Sequence, residues 1–135
     1  MVSVFLIVAV VFAALAALLH VAIFFLESVL WTRPGVWQRF GVRSQDDATT
    51  VQPMAYNQGF YNLFLALATA LGLLMLASPA VHPVGVGVAG VALASMLLAS
   101  VVLITSNPRL ARAAITQGFT PLVALVFGAL WFALS

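Results

Sequence analysis

Polar positions in this chain are few, and they interrupt long apolar runs at a small number of places. A helix that crosses a bilayer needs roughly 20 apolar residues, and four runs reach that length, at about 2–30, 54–77, 84–104 and 113–134. Ser78-Pro79 ends the second run and Asn107-Pro108 the third. The breaks after runs two and three are short, so successive helices turn straight back on one another. The pattern predicts an all-α membrane protein. Its fold is an antiparallel four-transmembrane-helix bundle, with residues 1–135 as a single domain. The first run lacks a basic leader and is about twice the length of a signal-peptide core, so it reads as a retained span.

The one long connection, 31–53, has its own pattern. Trp31, Val36, Trp37 and Phe40 are interleaved with Arg33, Arg39 and Arg43, a mixture suited to the headgroup layer. Ser44 with Asp47 three residues on has the spacing of a capping box, so a helix is expected to begin near Ser44. Pro53 then kinks that helix or opens a separate span.

Composition agrees with a lipid setting. Of 135 residues, 64% are hydrophobic and 6% charged, and the mean hydropathy is +1.19. The net charge of +2 comes from arginines alone, since the chain has no lysine. The isoelectric point near 10.0 therefore reflects a few loop residues, not a nucleic-acid surface. The absence of cysteine excludes disulfides and thiolate metal sites. Arg33, Arg39 and Arg43 follow run one, and Arg109 and Arg112 follow run three, which puts both groups on one side of a four-span bundle. The positive-inside rule makes that side cytoplasmic and both termini external. The absence of Lys and Cys with heavy use of Ala and Val is what a GC-rich bacterial genome is expected to give, so the expected location is a bacterial inner membrane.

The remaining polar residues gather toward the arginine-bearing end. Glu27 lies near the close of run one, with His20 seven residues before it on the same helix face. Run two opens with Tyr56-Asn57-Gln58-Gly59-Phe60-Tyr61-Asn62, run three closes with Thr105-Ser106-Asn107, and run four opens with Thr116-Gln117. Ionisable groups inside a bilayer are costly and mark functional sites. A polar pocket in that half of the bundle is expected, built from His20, Glu27, Asn57, Gln58, Tyr61, Asn62 and Gln117. Glu27, His20 and Tyr61 are the candidate catalytic groups, and Trp31, Asn57, Gln58, Asn62 and Gln117 the candidate ligand-binding groups. Plainer roles compete with these. Membrane amides often only join helices, Glu27 stands close enough to Trp31 to reach the interface, and His20 can bond a neighbouring helix. Gly85, Gly87, Gly90 and Gly128 are expected to allow close helix contact.

A carboxylate beside an imidazole in low dielectric suits proton transfer. The leading expectation is a site that binds a small apolar or lipid-like molecule and does acid–base chemistry on it, of an isomerase or hydrolase type. The alternative is a proton-coupled transporter or efflux protomer that works as an oligomer, with Glu27 as the coupling carboxylate. A structural or accessory membrane subunit is the third. No cofactor is predicted, a haem on His20 being the one alternative, and no metal site, because His20 and Glu27 are too far apart to share an ion. The expected partners are membrane lipids, a small apolar ligand and a homo-oligomer; nucleic acid is not among them.

The pattern His20-x-x-Ile23-Phe24-x-x-Glu27-x-x-x-Trp31, Phe40-Gly41, Asn57-Gln58-Gly59-x-Tyr61-Asn62-x-Phe64-Leu65 and Gln117-Gly118-x-x-Pro121 resembles the domain of unknown function 1304 family of small bacterial membrane proteins. The resemblance covers nearly the whole chain. It implies a four-span integral membrane protein and carries no established activity. The matching positions are His20, Glu27, Trp31, Asn57, Gln58, Gly59, Tyr61, Asn62, Gln117 and Gly118. Leu63 departs from the pattern, standing where a small residue, usually Gly, is expected.

Overall fold

The computed structural model describes residues 2–134, and every regular element among them is helical. Helix α1 (Val2–Phe24) runs into a π-helical turn, Phe25–Val29. A short helix α2 (Pro34–Trp37) and a 3₁₀ turn (Gln38–Phe40) lead to α3 (Gln45–Met75). Helix α4 (His82–Ser106) and a second 3₁₀ turn (Pro108–Leu110) precede α5 (Ala111–Leu134). Four helical segments are long and apolar enough to cross a membrane, so the protein is an all-helical, multi-pass membrane protein.

The four long helices form a ring in which α1 packs on α3 and α5, and α4 packs on the same two. Adjacent helices run in opposite directions. Phe5 meets Phe127 and Phe12 meets Phe119, with the numbers of α1 rising as those of α5 fall. Small residues face inward and large ones outward, because lipid leaves close packing as the main force holding helices together. The central layer is Ala13, Ala16, Leu93, Met96 and Ala124, while Leu18, Leu67, Leu98 and Phe132 are exposed. Where α3 meets α4, a Cβ on Gly72 would fall 2.7 Å from the Ala89 nitrogen, and one on Gly85 would fall 2.7 Å from the Gly72 carbonyl. Only glycine permits that approach of two backbones.

Helix α3 starts well before the point that hydropathy marks. Ser44 caps it, its Oγ accepting from the Asp47 N–H at 3.1 Å and donating to the Asp47 carboxylate at 2.7 Å. The polar turns 45–52 are helical but carry no hydrophobic signal, and α3 continues through Pro53. The segment before it packs its aromatics together. Trp31 donates its indole N–H to the Ala48 carbonyl at 2.9 Å, and Trp31, Trp37, Ala48 and Ala55 form a second cluster with Phe40, Val42 and Val51. This cluster closes the arginine-bearing end of the bundle.

The glycines of α4 and α5 show the limits of glycine as a packing signal. Gly85 is an inter-helix contact, as expected, but a Cβ on Gly87, Gly90 or Gly128 would meet nothing within 4 Å. Those three create space instead of closing it.

Candidate functional site

Glu27 is 7% exposed and Asn62 5% exposed, and the Asn62 Nδ2 donates to a Glu27 carboxylate oxygen at 2.9 Å. The bond joins α3 to the π-turn that ends the first span. Leu30 N–H donates to the Phe25 carbonyl at 2.8 Å, one residue further back than in an α-helix. This wider turn re-phases the residues after Phe24, and such turns recur at functional sites. It turns Glu27 toward α3 and Phe25 outward. Gly59 lies against Glu27 and Ser28; a Cβ there would collide with the Ser28 Oγ and stand 3.1 Å from the Glu27 Cβ. Ser28 donates to the Tyr56 carbonyl at 2.8 Å, and Phe24 packs edge-on against Phe60 with centroids 5.1 Å apart. The carboxylate is thus clamped between two spans. Asn62 Nδ2 also donates to the Gln58 carbonyl at 3.1 Å, which fixes the orientation of the amide.

His20 is fully buried. Its Nδ1 lies 2.9 Å from the Ala16 carbonyl, which can only accept, so Nδ1 carries the hydrogen. Its Nε2 is buried with no hydrogen-bond partner among the described residues. His20 and Thr69 stand seven residues from Glu27 and Asn62 on antiparallel helices. The register therefore puts His20 and Thr69 in a second polar layer, roughly 10 Å further along the axis. Thr69, also fully buried, donates to the Leu65 carbonyl at 2.9 Å.

The other predicted residues lie apart from this pair. Asn57, Gln58 and Tyr61 are exposed on the outward face of α3, Tyr61 at 57%. Trp31 is buried but belongs to the closing cluster, and Gln117 is half-buried on α5. Gly118 is buried against Ser100, a close contact of α5 with α4. Thr69 and Ser100 are two buried hydroxyls that sequence reasoning did not single out; the heptad spacing of Thr69 from Asn62 was an available signal, whereas the contact of Ser100 with Gly118 exists only once α4 meets α5. Among the described residues no three of His, Cys, Asp and Glu gather as a metal site would require.

Open space lies elsewhere. A cleft of about 310 Å³ opens at the end of the bundle away from the arginines, lined by Ala13, Leu73, Leu93, Ala124, Gly128 and Trp131 among others. Gly90 and Gly128 both border it. Its lining is almost wholly apolar. Met96 and its alanine neighbours separate it from the His20 layer.

Residues 14–129 match the family described as Protein of unknown function (DUF1304). The chain belongs to that family. No curated protein and no solved structure matches it. The matched region contains His20, Glu27, Gly59 and Asn62, together with all of α3 and the second half of α1.

Proposed function

We propose that this protein is a proton-coupled carrier for a small, largely apolar molecule, with Glu27 as the group that takes up and releases the proton. The observation that carries the reading is the Glu27–Asn62 bond. An intramembrane carboxylate is held between two spans by a neutral amide, and among the described residues no cation lies within ion-pairing distance. A resident arginine would lock the charge in place; an amide accommodates the carboxyl group in either protonation state. Gain or loss of a proton then acts directly on the α1–α3 contact.

The asymmetry of the bundle supports the same reading. One end is an apolar cleft within the size range of ligand sites, and the other is closed by the Trp31–Trp37 cluster. A tight layer around Met96 lies between them. A carrier open on one side needs such an arrangement, and this supports the reading. The arginine-bearing end faces the cytoplasm in this reading, so the cleft faces outward. An acid–base enzyme using Glu27, His20 and Tyr61 is less well supported, because Tyr61 is exposed, about 100° round α3 from the buried Asn62.

Proton uptake by the purified protein in nanodiscs, followed with a pH dye during acid titration, tests the proposal. Glu27→Gln is expected to take up fewer protons than wild type while keeping its helix content. Equal uptake by the two proteins would remove Glu27 from any proton coupling. Native mass spectrometry of the same samples would then identify an apolar molecule retained by wild type and lost on filling the cleft with Gly128→Leu.

A further inference from the structure

The outward face of α3 presents a problem that the single chain does not solve. Asn57, Tyr61 and Phe64 follow i, i+4, i+7 spacing on one face, with Gln58 at its edge on the side toward Asn62. All four are exposed, and Asn57, Gln58 and Tyr61 have no side-chain hydrogen bond among the described residues. The short hydroxyl side chains on the outer faces of the other spans are internally satisfied. Ser95, Thr105 and Thr116 donate to carbonyls of their own helices at 2.8, 2.8 and 2.9 Å. The longer amide and phenol groups of α3 extend away from their helix and have no such closure.

Their depth makes this matter. Helix α3 has 31 residues and is about 46 Å long, against a hydrocarbon layer of about 30 Å. Its polar first turns take up the excess. Asn57 lies nine residues beyond Ala48, the carbonyl that Trp31 bonds, which is roughly 13 Å further along the axis. Tyr61 is a turn deeper still. With the excess taken up by the first turns, Asn57 and Gln58 lie just inside the layer and Tyr61 about a turn deeper, where a side-chain bond to a neighbouring helix is more favourable than contact with lipid.

We infer that the Asn57–Gln58–Tyr61 face of α3 is the interface at which two copies of this chain associate side by side in the membrane. A second copy fits better than an unrelated protein because the face is self-complementary. Each amide both donates and accepts, and a two-fold axis along the membrane normal sets each group against its equivalent at the same depth. The five arginines lie outside this face, at one end of the bundle, so like charges do not oppose the contact. Phe64 and Leu67 extend the face with apolar surface on the deeper side. The contact is made by the helix that also holds Asn62, so association and the Glu27 pair share one rigid element.

Because the chain has no cysteine, single-cysteine variants test this cleanly in native membranes. Oxidative cross-linking is expected to give covalent dimers with Asn57→Cys and Tyr61→Cys. Ile115→Cys, on the exposed face of α5, is expected to stay monomeric. Absence of dimer at both α3 positions, or equal dimer at Ile115, overturns the inference. Native mass spectrometry of an Asn57→Leu/Gln58→Leu variant provides a second reading, with circular dichroism confirming that the helices remain. Loss of the dimer supports the interface, and a persistent dimer overturns it.

Discussion

Asn62 does two jobs with one nitrogen, bonding the Glu27 carboxylate and the Gln58 carbonyl of its own helix. Its neighbours in sequence do neither. Asn57, Gln58, Tyr61 and Asn62 read as one polar cluster, but successive residues on a helix differ by about 100°, so a block this dense must supply more than one face. Hydropathy shows that such a block is unusual and leaves open which member turns inward. The small residue at Gly59 was the available signal, since it allows α1 to come close beside Asn62. A double-mutant cycle measures the bond directly. Asn62→Leu and Glu27→Gln, singly and together, are expected to give a coupling energy of about 0.6 kcal/mol and at most about 1.7 kcal/mol, the range for side-chain bonds between membrane helices. Tryptophan-fluorescence unfolding in detergent supplies the four stabilities. A coupling indistinguishable from zero would mean the bond does not contribute to the α1–α3 contact.

At the scale of the element, glycines of α4 and α5 separate into two kinds that look alike in sequence. Gly85 is pressed against Gly72, whereas Gly90 and Gly128 border the cleft with free space where a Cβ would go. The contrast gives a paired prediction. Gly72→Ala forces two backbones apart and is expected to cost about 1–3 kcal/mol, the usual effect of overpacking. Gly128→Ala is expected to be neutral or slightly stabilising, because alanine also lowers the entropy of the unfolded chain. Thermal unfolding of both variants decides it, and equal losses would show that Gly128 is packed as tightly as Gly72. The π-turn belongs to this scale as well. His20 and Glu27 share a face if α1 is regular throughout, and the wider turn at Phe25–Val29 changes that phase where Glu27 meets its partner on α3.

For the molecule as a whole, the distribution of arginines makes a prediction about the membrane. Gln38→Cys, in the arginine-bearing connection, is expected to resist an impermeant maleimide in intact cells. Ala80→Cys, in the connection between α3 and α4, is expected to react. Labelling of Gln38 alone would reverse the orientation and turn the apolar cleft toward the cytoplasm. The same whole-molecule view ties the two ends together. The cleft and the Glu27–Asn62 pair lie on opposite sides of the Met96 layer, so a carrier must rearrange that layer for a molecule to pass.

The sequence by itself determined the four spans, their antiparallel order, the grouping of arginines at one end and the burial of His20 and Glu27. Each follows from hydropathy and chain length, which act on one helix at a time. The tertiary structure alone decided that Asn62 is the partner of Glu27, that Asn57, Gln58 and Tyr61 point outward, and that the open space is apolar and lies at the far end. Those depend on the rotation of each helix about its axis. All four helices are apolar nearly all round, so hydrophobicity sets their rotation only weakly. Close contacts of small residues, at Gly59, Gly72, Gly85 and Gly118, set it instead, and they exist only once two helices meet.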